Sequence, residues 1–104
     1  MSRHAFVLHP AAKDDLVNIW LLVYRNDGSA RADGVIARIE AFVRSLEEFP
    51  HVGRAEDSRR PGLRTVSIPK LRKSVVVFRV AQGRGTVLRI GYLGANVIET
   101  LPDE

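Results

Sequence analysis

The sequence contains no cysteine, which excludes disulfide frameworks, thiolate metal sites and cysteine nucleophiles. It also lacks any apolar run of membrane-spanning length, and its opening, MSRHAFVLHPAAKDD, has no apolar block behind the basic residues of the kind an export signal carries. A cytoplasmic location is expected and membrane insertion is not. Aromatic residues are few, with one Trp, two Tyr and four Phe, so stacking platforms for single-stranded nucleic acid are sparse. His4, His9 and His51 lie away from the basic strands, and no His/Asp/Glu grouping has metal-ligand spacing. No metal or cofactor is expected. There are no repeats, low-complexity tracts or linkers, and 104 residues, of which 45% are hydrophobic, suit a single domain, 1–104, with one core.

The most informative shortage is of acid. Between Ser58 and Ile98 there is no Asp or Glu, against nine basic residues: Arg59, Arg60, Arg64, Lys70, Arg72, Lys73, Arg79, Arg84 and Arg89. Residues 1–50 carry a net charge of −1 and residues 51–104 a net charge of +5. A field of one sign over one half of the chain favours a polyanion or an acidic peptide; the plain alternative is a solvated face.

The stretch Ser74–Val80, SVVVFRV, is short, β-branched and almost wholly apolar, and is read as a central strand. Alternation puts Val76, Phe78 and Val80 on one face and Val75, Val77 and Arg79 on the other. Ahead of it, Arg3–His9 alternates loosely and predicts a first strand. Pro10 then opens a helix that Asn26-Asp27-Gly28 closes, with Ala12, Leu16, Ile19 and Val23 at helical spacing and Asp14 and Asp15 near the positive end of the helix dipole. Ser29 is placed to cap a second helix, in which Ala32, Val35, Ile36, Ile39, Phe42, Val43 and Leu46 form one apolar stripe ending at Phe49-Pro50. His51–Pro61 reads as a polar surface loop. Three strands follow, Gly62–Ile68, Arg72–Val80 and Gly85–Leu93, joined at Pro69-Lys70 and at Gln82-Gly83-Arg84-Gly85. In the last strand Leu88, Ile90 and Tyr92 are expected on one face. A short helical turn is expected in the tail.

These elements predict an α+β domain: an N-terminal strand and an antiparallel helix hairpin packed on a small antiparallel sheet, which a three-stranded meander completes. The hairpin is expected on the Phe78 face. The opposite face is read as open, with Arg79 and Arg89 sharing it either as an anion site or as partners in structural ion pairs, while Arg64 shares the parity of Val66 and Ile68.

Three stretches carry a family resemblance. HPAAKDDLVNIW is similar to the opening helix of the ParE toxins of the RelE/ParE superfamily. FPHVGRAEDSRRPGLRTVSI resembles that family's Phe-Pro, Gly-Arg, Asp and Arg-Pro-Gly-Leu-Arg series, most specifically at Arg60-Pro61-Gly62-Leu63-Arg64. VVVFRV and VLRIGYLG resemble its last two strands. Phe78 stands where tyrosine is common, and Tyr92 near where many members have histidine before a glycine.

The resemblance implies the toxin of a bacterial type II toxin–antitoxin pair. Its expected partner is a ParD-like antitoxin with a ribbon-helix-helix start and an acidic amphipathic tail, and the two would form a hetero-oligomer. ParE-type members act on DNA gyrase, whereas RelE-type members cut messenger RNA on the ribosome. RNA cleavage needs a proton acceptor and a proton donor as well as cations. Arginines supply only the cations, and Tyr92, Lys70 and Lys73 are weak candidates for the rest. The chain is therefore read as a non-catalytic gyrase inhibitor, with ribonuclease as the alternative and a small basic nucleic-acid-binding module as a third reading. Arg64, Arg79, Arg89 and Tyr92 are the expected target-binding or toxicity residues. Trp20, Leu22, Val23, Tyr24, Arg79 and Arg89 are the expected antitoxin contacts, because Trp20–Tyr24 is apolar all the way round the helix.

Overall fold

The computed structural model of the protein describes residues 5–104; Arg3 and His4, placed in the first strand from sequence, lie outside them. The element order is β1 (Ala5–Leu8), α1 (Pro10–Asp27), α2 (Ser29–Ser45), β2 (Arg54–Ala55), β3 (Leu63–Ser67), β4 (Val75–Ala81), β5 (Arg84–Gly91) and a 3-10 turn at Ile98–Thr100. The expected α+β architecture is present, with one addition to its sheet. The five strands run in the order β1-β5-β4-β3-β2, and β1 joins β5 in parallel while the other pairs are antiparallel.

Local chemistry explains the hairpin. Pro10 sits in the first turn of α1, where its missing N–H has no intrahelical partner to lose. His9 precedes it, and its Nδ1 accepts from the Ala11 N–H at 3.0 Å. Gly28 joins the two helices alone: its N–H donates to Tyr24 O at 2.9 Å, and its carbonyl accepts from Ala32 N at 3.1 Å. Its φ of 87° is a left-handed value that glycine adopts without a Cβ clash. The N-cap of α2 is thus Gly28, and Ser29, expected as the cap, is the first helical residue.

Ala12, Ile19 and Val23 of α1 and Ala32, Val35 and Ile39 of α2 are buried against Val76, Phe78, Val87 and Ile90. Phe78 is fully buried, with Phe6 tilted against it at a ring separation of 5.8 Å. Gly85 makes that contact possible, because a Cβ there would lie 2.3 Å from the Phe6 ring.

Three sequence expectations are corrected. The 51–61 segment is not all loop, since β2 pairs Arg54 with Thr65 and Ala55 with Arg64. A bulge between Val77 and Phe78 sets Val77 opposite Arg89 but Phe78 opposite Val87. Val87, not Leu88, therefore shares the helix-covered face with Ile90, while Leu88 packs with Leu63, Val77 and Val97 on the other. The second face is also not open, because the tail folds across it and buries Val97, with Ile98 and Leu101 packed alongside. No hydrophobic pattern in strand or helix spacing announces that tail.

Asp15 locks the edge of the sheet. β1 covers β5 only from Arg84 to Val87, which leaves the Ile90 N–H facing outward. That N–H donates to Asp15 Oδ2 at 2.8 Å, and the Arg89 guanidinium grips the same carboxylate with Nε at 2.8 Å and Nη2 at 2.9 Å. Asp15 lies beyond the first turn of α1, so its role is tertiary rather than that of a dipole partner. Asp15→Ala is expected to lower stability in urea unfolding by about 3 kcal/mol, because it strands a largely buried cation and a strand N–H. Asp14→Ala, a change on an exposed side chain, should stay within about 0.5 kcal/mol.

Candidate functional site

The second sheet face gathers Arg60, Arg79 and Arg89 under the tail. Arg60 Nη1 donates to Pro102 O and to Glu104 Oε2, both at 3.0 Å. Arg79 Nε donates to Pro61 O at 2.8 Å and its Nη1 to Glu104 Oε1 at 3.3 Å. Glu104 thereby bridges two arginines. Arg59 pairs with Glu99 at 2.9 Å, and Arg89 Nη1 donates to Thr100 O at 2.9 Å and to Thr100 Oγ1 at 2.6 Å. The hydrogen bonds to Asp15 hold Arg89 above its ordinary pKa against the opposing effect of burial. A raised pKa on an arginine means a charge fixed at every working pH, so Arg89 is a permanent cation and no proton donor.

Of the two sequence readings of these arginines, exposed surface or structural ion pairs, the structure shows the ion pairs for Arg79 and Arg89. Arg79 and Arg89 do share the second face, yet each is engaged within the chain. Arg64 is elsewhere. Its register partner is Phe78, on the helix side, and its guanidinium donates to His51 O at 2.7 Å, Val52 O at 3.1 Å and Gly53 O at 3.2 Å. Those carbonyls turn inward because Gly53 has a φ of 80° and lies so close to β3 that a Cβ would meet Thr65 O at 2.1 Å. Arg64 clamps a loop. Tyr92 packs its ring against the core on the helix side, apart from the arginine cluster. The grouped arginines can hold carboxylates and carbonyl oxygens. Glu99 and Glu104 are in ion pairs there, and Tyr92 is on the opposite face.

The helix hairpin presents a different surface. Trp20 Nε1–H donates to Asp33 Oδ1 at 2.8 Å, and the indole stacks on Tyr24 with ring centroids 4.9 Å apart and planes 9° apart. Leu22 and Tyr24 are exposed. Val23 is 3% exposed and belongs to the core, so it cannot be a partner contact in the folded chain; the run Trp20–Tyr24 is apolar all round, but only part of it faces out. Sequence reasoning missed Val17 and did not single out Leu21 within the Trp20–Tyr24 run; both are exposed on the same helix. Their spacing with Trp20 and Tyr24 is the signal that finds them.

It also did not bring together a group of cations beside α2. A groove of about 530 Å³ runs between α2 and the turn after β3, lined by Gly34, Arg38, Ala41, Phe42, Ile68 and Pro69. Arg31 and Lys70 border its continuation beyond Gly34 and Arg38. Arg31, Arg38 and Lys70 have no ion-pair or hydrogen-bond partner among the described residues. Two of the three sit in the half of the sequence with negative net charge, where a count of charge along the chain would not look.

Comparison with known proteins places this geometry. The family described as "ParE toxin of type II toxin-antitoxin system, parDE" matches residues 6–93. The chain is 34% identical over 77 residues to Toxin ParE3 of Caulobacter vibrioides, covering 67% of this chain and 77% of that protein. It is 30% identical over 82 residues to Toxin ParE1 of Mycobacterium tuberculosis, covering 79% and 80%. A solved structure titled "Chromosomal ParDE TA system from P. aeruginosa" contains a chain of the same fold, with a TM-score of 0.74, 23% identity, and coverage of 86% of this chain and 96% of that one.

The two arginines placed on opposite faces separate by experiment. Arg64→Ala removes three charge-assisted bonds to loop carbonyls and is expected to lower stability in urea unfolding by about 2 kcal/mol. Arg79→Ala breaks a half-exposed ion pair and should cost about 1 kcal/mol or less by the same measurement.

Proposed function

We propose that this chain, which belongs to the ParE toxin family of type II toxin–antitoxin systems, arrests growth by binding DNA gyrase and is held inactive by a cognate antitoxin. The family match over residues 6–93 carries the reading. The chemistry of the arginine cluster supports a binding role over a cleaving one: Arg79 and Arg89 bond to carboxylates and carbonyls, and Tyr92, a candidate acid, is not beside them. Phosphodiester cleavage needs protons moved at both the attacking and the leaving oxygen, which fixed guanidinium charges cannot do.

The surfaces suited to the antitoxin differ from those expected from sequence. Arg79 and Arg89 are occupied by the chain's own tail. The exposed Val17, Leu21, Leu22 and Tyr24 offer area to the apolar side of an amphipathic segment. Arg31, Arg38 and Lys70 offer charge to its acidic side. The antitoxin is taken to be ParD-like, with an acidic amphipathic C-terminal part, and the pair to form a hetero-oligomer.

Leu22→Glu alters an exposed side chain and should leave the fold intact. It is expected to weaken antitoxin binding by about tenfold or more, the scale of a charge placed in an apolar contact; unchanged affinity in calorimetry would put the antitoxin on another face. The target is tested by inducing the toxin alone. DNA synthesis should stop and gyrase-linked breaks accumulate before protein synthesis falls, and Tyr92→Phe should keep most of the toxicity. A ribonuclease that uses Tyr92 as its acid would instead lose on the order of 10² to 10⁴ in rate, and rapid translation arrest with codon-positioned cleavage would replace the gyrase reading.

A further inference from the structure

The tail is attached to the domain in an unusual way. Gly94 N donates to Lys73 O at 2.8 Å, and beyond it the backbone bonds are local ones: Ala95 N to Tyr92 O, Val97 N to Ala95 O and Thr100 N to Val97 O. Among the described residues, no backbone–backbone bond ties residues 96–104 to a strand or helix. Everything else that holds the segment is a side chain. Arg89 takes Thr100 O, Arg60 takes Pro102 O, and His9, which caps α1 with Nδ1, donates from Nε2 to Asp103 O at 3.1 Å. Glu99 and Glu104 pair with Arg59, Arg60 and Arg79. Val97, Ile98 and Leu101 rest on Leu63, Val77 and Leu88.

Each of these attachments could be made equally by a separate peptide. Guanidinium and imidazole donors aimed at main-chain carbonyls read an extended backbone whatever its sequence. The arginines select acidic side chains, and the apolar strip selects alternate hydrophobic anchors. Residues 95–104, ANVIETLPDE, supply three acids and no base. Two left-handed residues precede them: Leu93, exposed and apolar, has a φ of 54° and Gly94 a φ of 84°, and the left-handed conformation is an uncommon and strained one for leucine. The ion pairs are partly exposed and therefore screened by solvent and salt. Segments held this way lie at the low-stability end of a fold.

We propose that the second sheet face is a binding site for an extended acidic peptide of a partner chain, and that residues 96–104 occupy it as a displaceable strap. The resting molecule thus carries a copy of its ligand's chemistry. This goes beyond the antitoxin reading, which concerns the helix hairpin and the groove beside α2, and it is tested without an antitoxin or gyrase.

The probe is a fluorescein-labelled peptide of sequence ANVIETLPDE, followed by anisotropy against the full chain. In a strap-weakened full chain carrying Glu99→Gln, Leu101→Ser and Glu104→Gln, the peptide should bind about tenfold or more tighter than in the unaltered chain, because affinity scales with the fraction of molecules whose site is open. That gain should fall as salt rises and vanish when Arg60→Ala and Arg79→Ala are added. Equal affinity in the two chains, or preference for a single-stranded oligonucleotide over the peptide, overturns the proposal. Hydrogen exchange on the unaltered chain gives a check that needs no variant. Amides of 96–104 should exchange faster than those of β4 and faster still with excess peptide; protection matching β4 and insensitive to peptide also overturns it.

Discussion

One carboxylate holds the architecture together at its weakest edge. β1 is four residues long and leaves the second half of β5 without a neighbouring strand on that side. An unpaired strand edge is both unstable and an invitation to other chains. Asp15 closes that edge from α1 by accepting from the Ile90 N–H, and in the same step it fixes Arg89, whose remaining donors take hold of Thr100 in the tail. Helix, sheet and tail meet at that point. The pair is largely buried, so its favourable Coulomb energy offsets a desolvation penalty rather than adding freely to stability. What it contributes is position: Arg89 has one available arrangement, and the tail is docked relative to it.

The same logic governs the rest of the basic half. A net charge of +5 over residues 51–104 implies an anion site only if the cations are free. Most of those on the sheet are not. Arg64 spends its donors on three loop carbonyls, and Arg59, Arg60, Arg79 and Arg89 bond to the tail or to Asp15. Three of the cations without a partner among the described residues, Arg31, Arg38 and Lys70, lie on α2 and on the turn after β3, next to apolar surface. The molecule thus has two basic surfaces of different character, one accessible and one already filled, and a partner reaching the second must displace what fills it.

Much of the fold was legible in the sequence, for local reasons. The stripe in α2 has helical spacing, and Val35 and Ile39 are buried where that spacing puts them. The run at Val75–Phe78 lies in β4, because β-branched residues without polar interruption suit a strand covered on both sides. The hairpin expected over Gln82–Gly85 is there but tighter, with Gln82-Gly83 alone as a two-residue turn whose φ of 52° and 75° are the pair of positive values that a type I′ turn requires. Even the placement of Arg64 on the Val66 side follows from parity alone.

What tertiary structure alone decided are the relations that no local pattern encodes. One extra residue in β5 reversed the parity of Leu88 and Val87, and a bulge is a property of two strands in register rather than of either one. The burial of Val23 depends on which part of α1 faces the sheet. The tail, too polar and too irregular to show periodicity, docks because Val97, Ile98 and Leu101 meet Leu63, Val77 and Leu88, and because arginines distant in sequence converge on Glu99, Thr100, Pro102 and Glu104. Backbone propensities and side-chain periodicity act over a few residues and were written in the sequence. Which cations remained free was settled by pairings such as Arg89 with Asp15, 74 residues apart, and those exist only once the chain has folded.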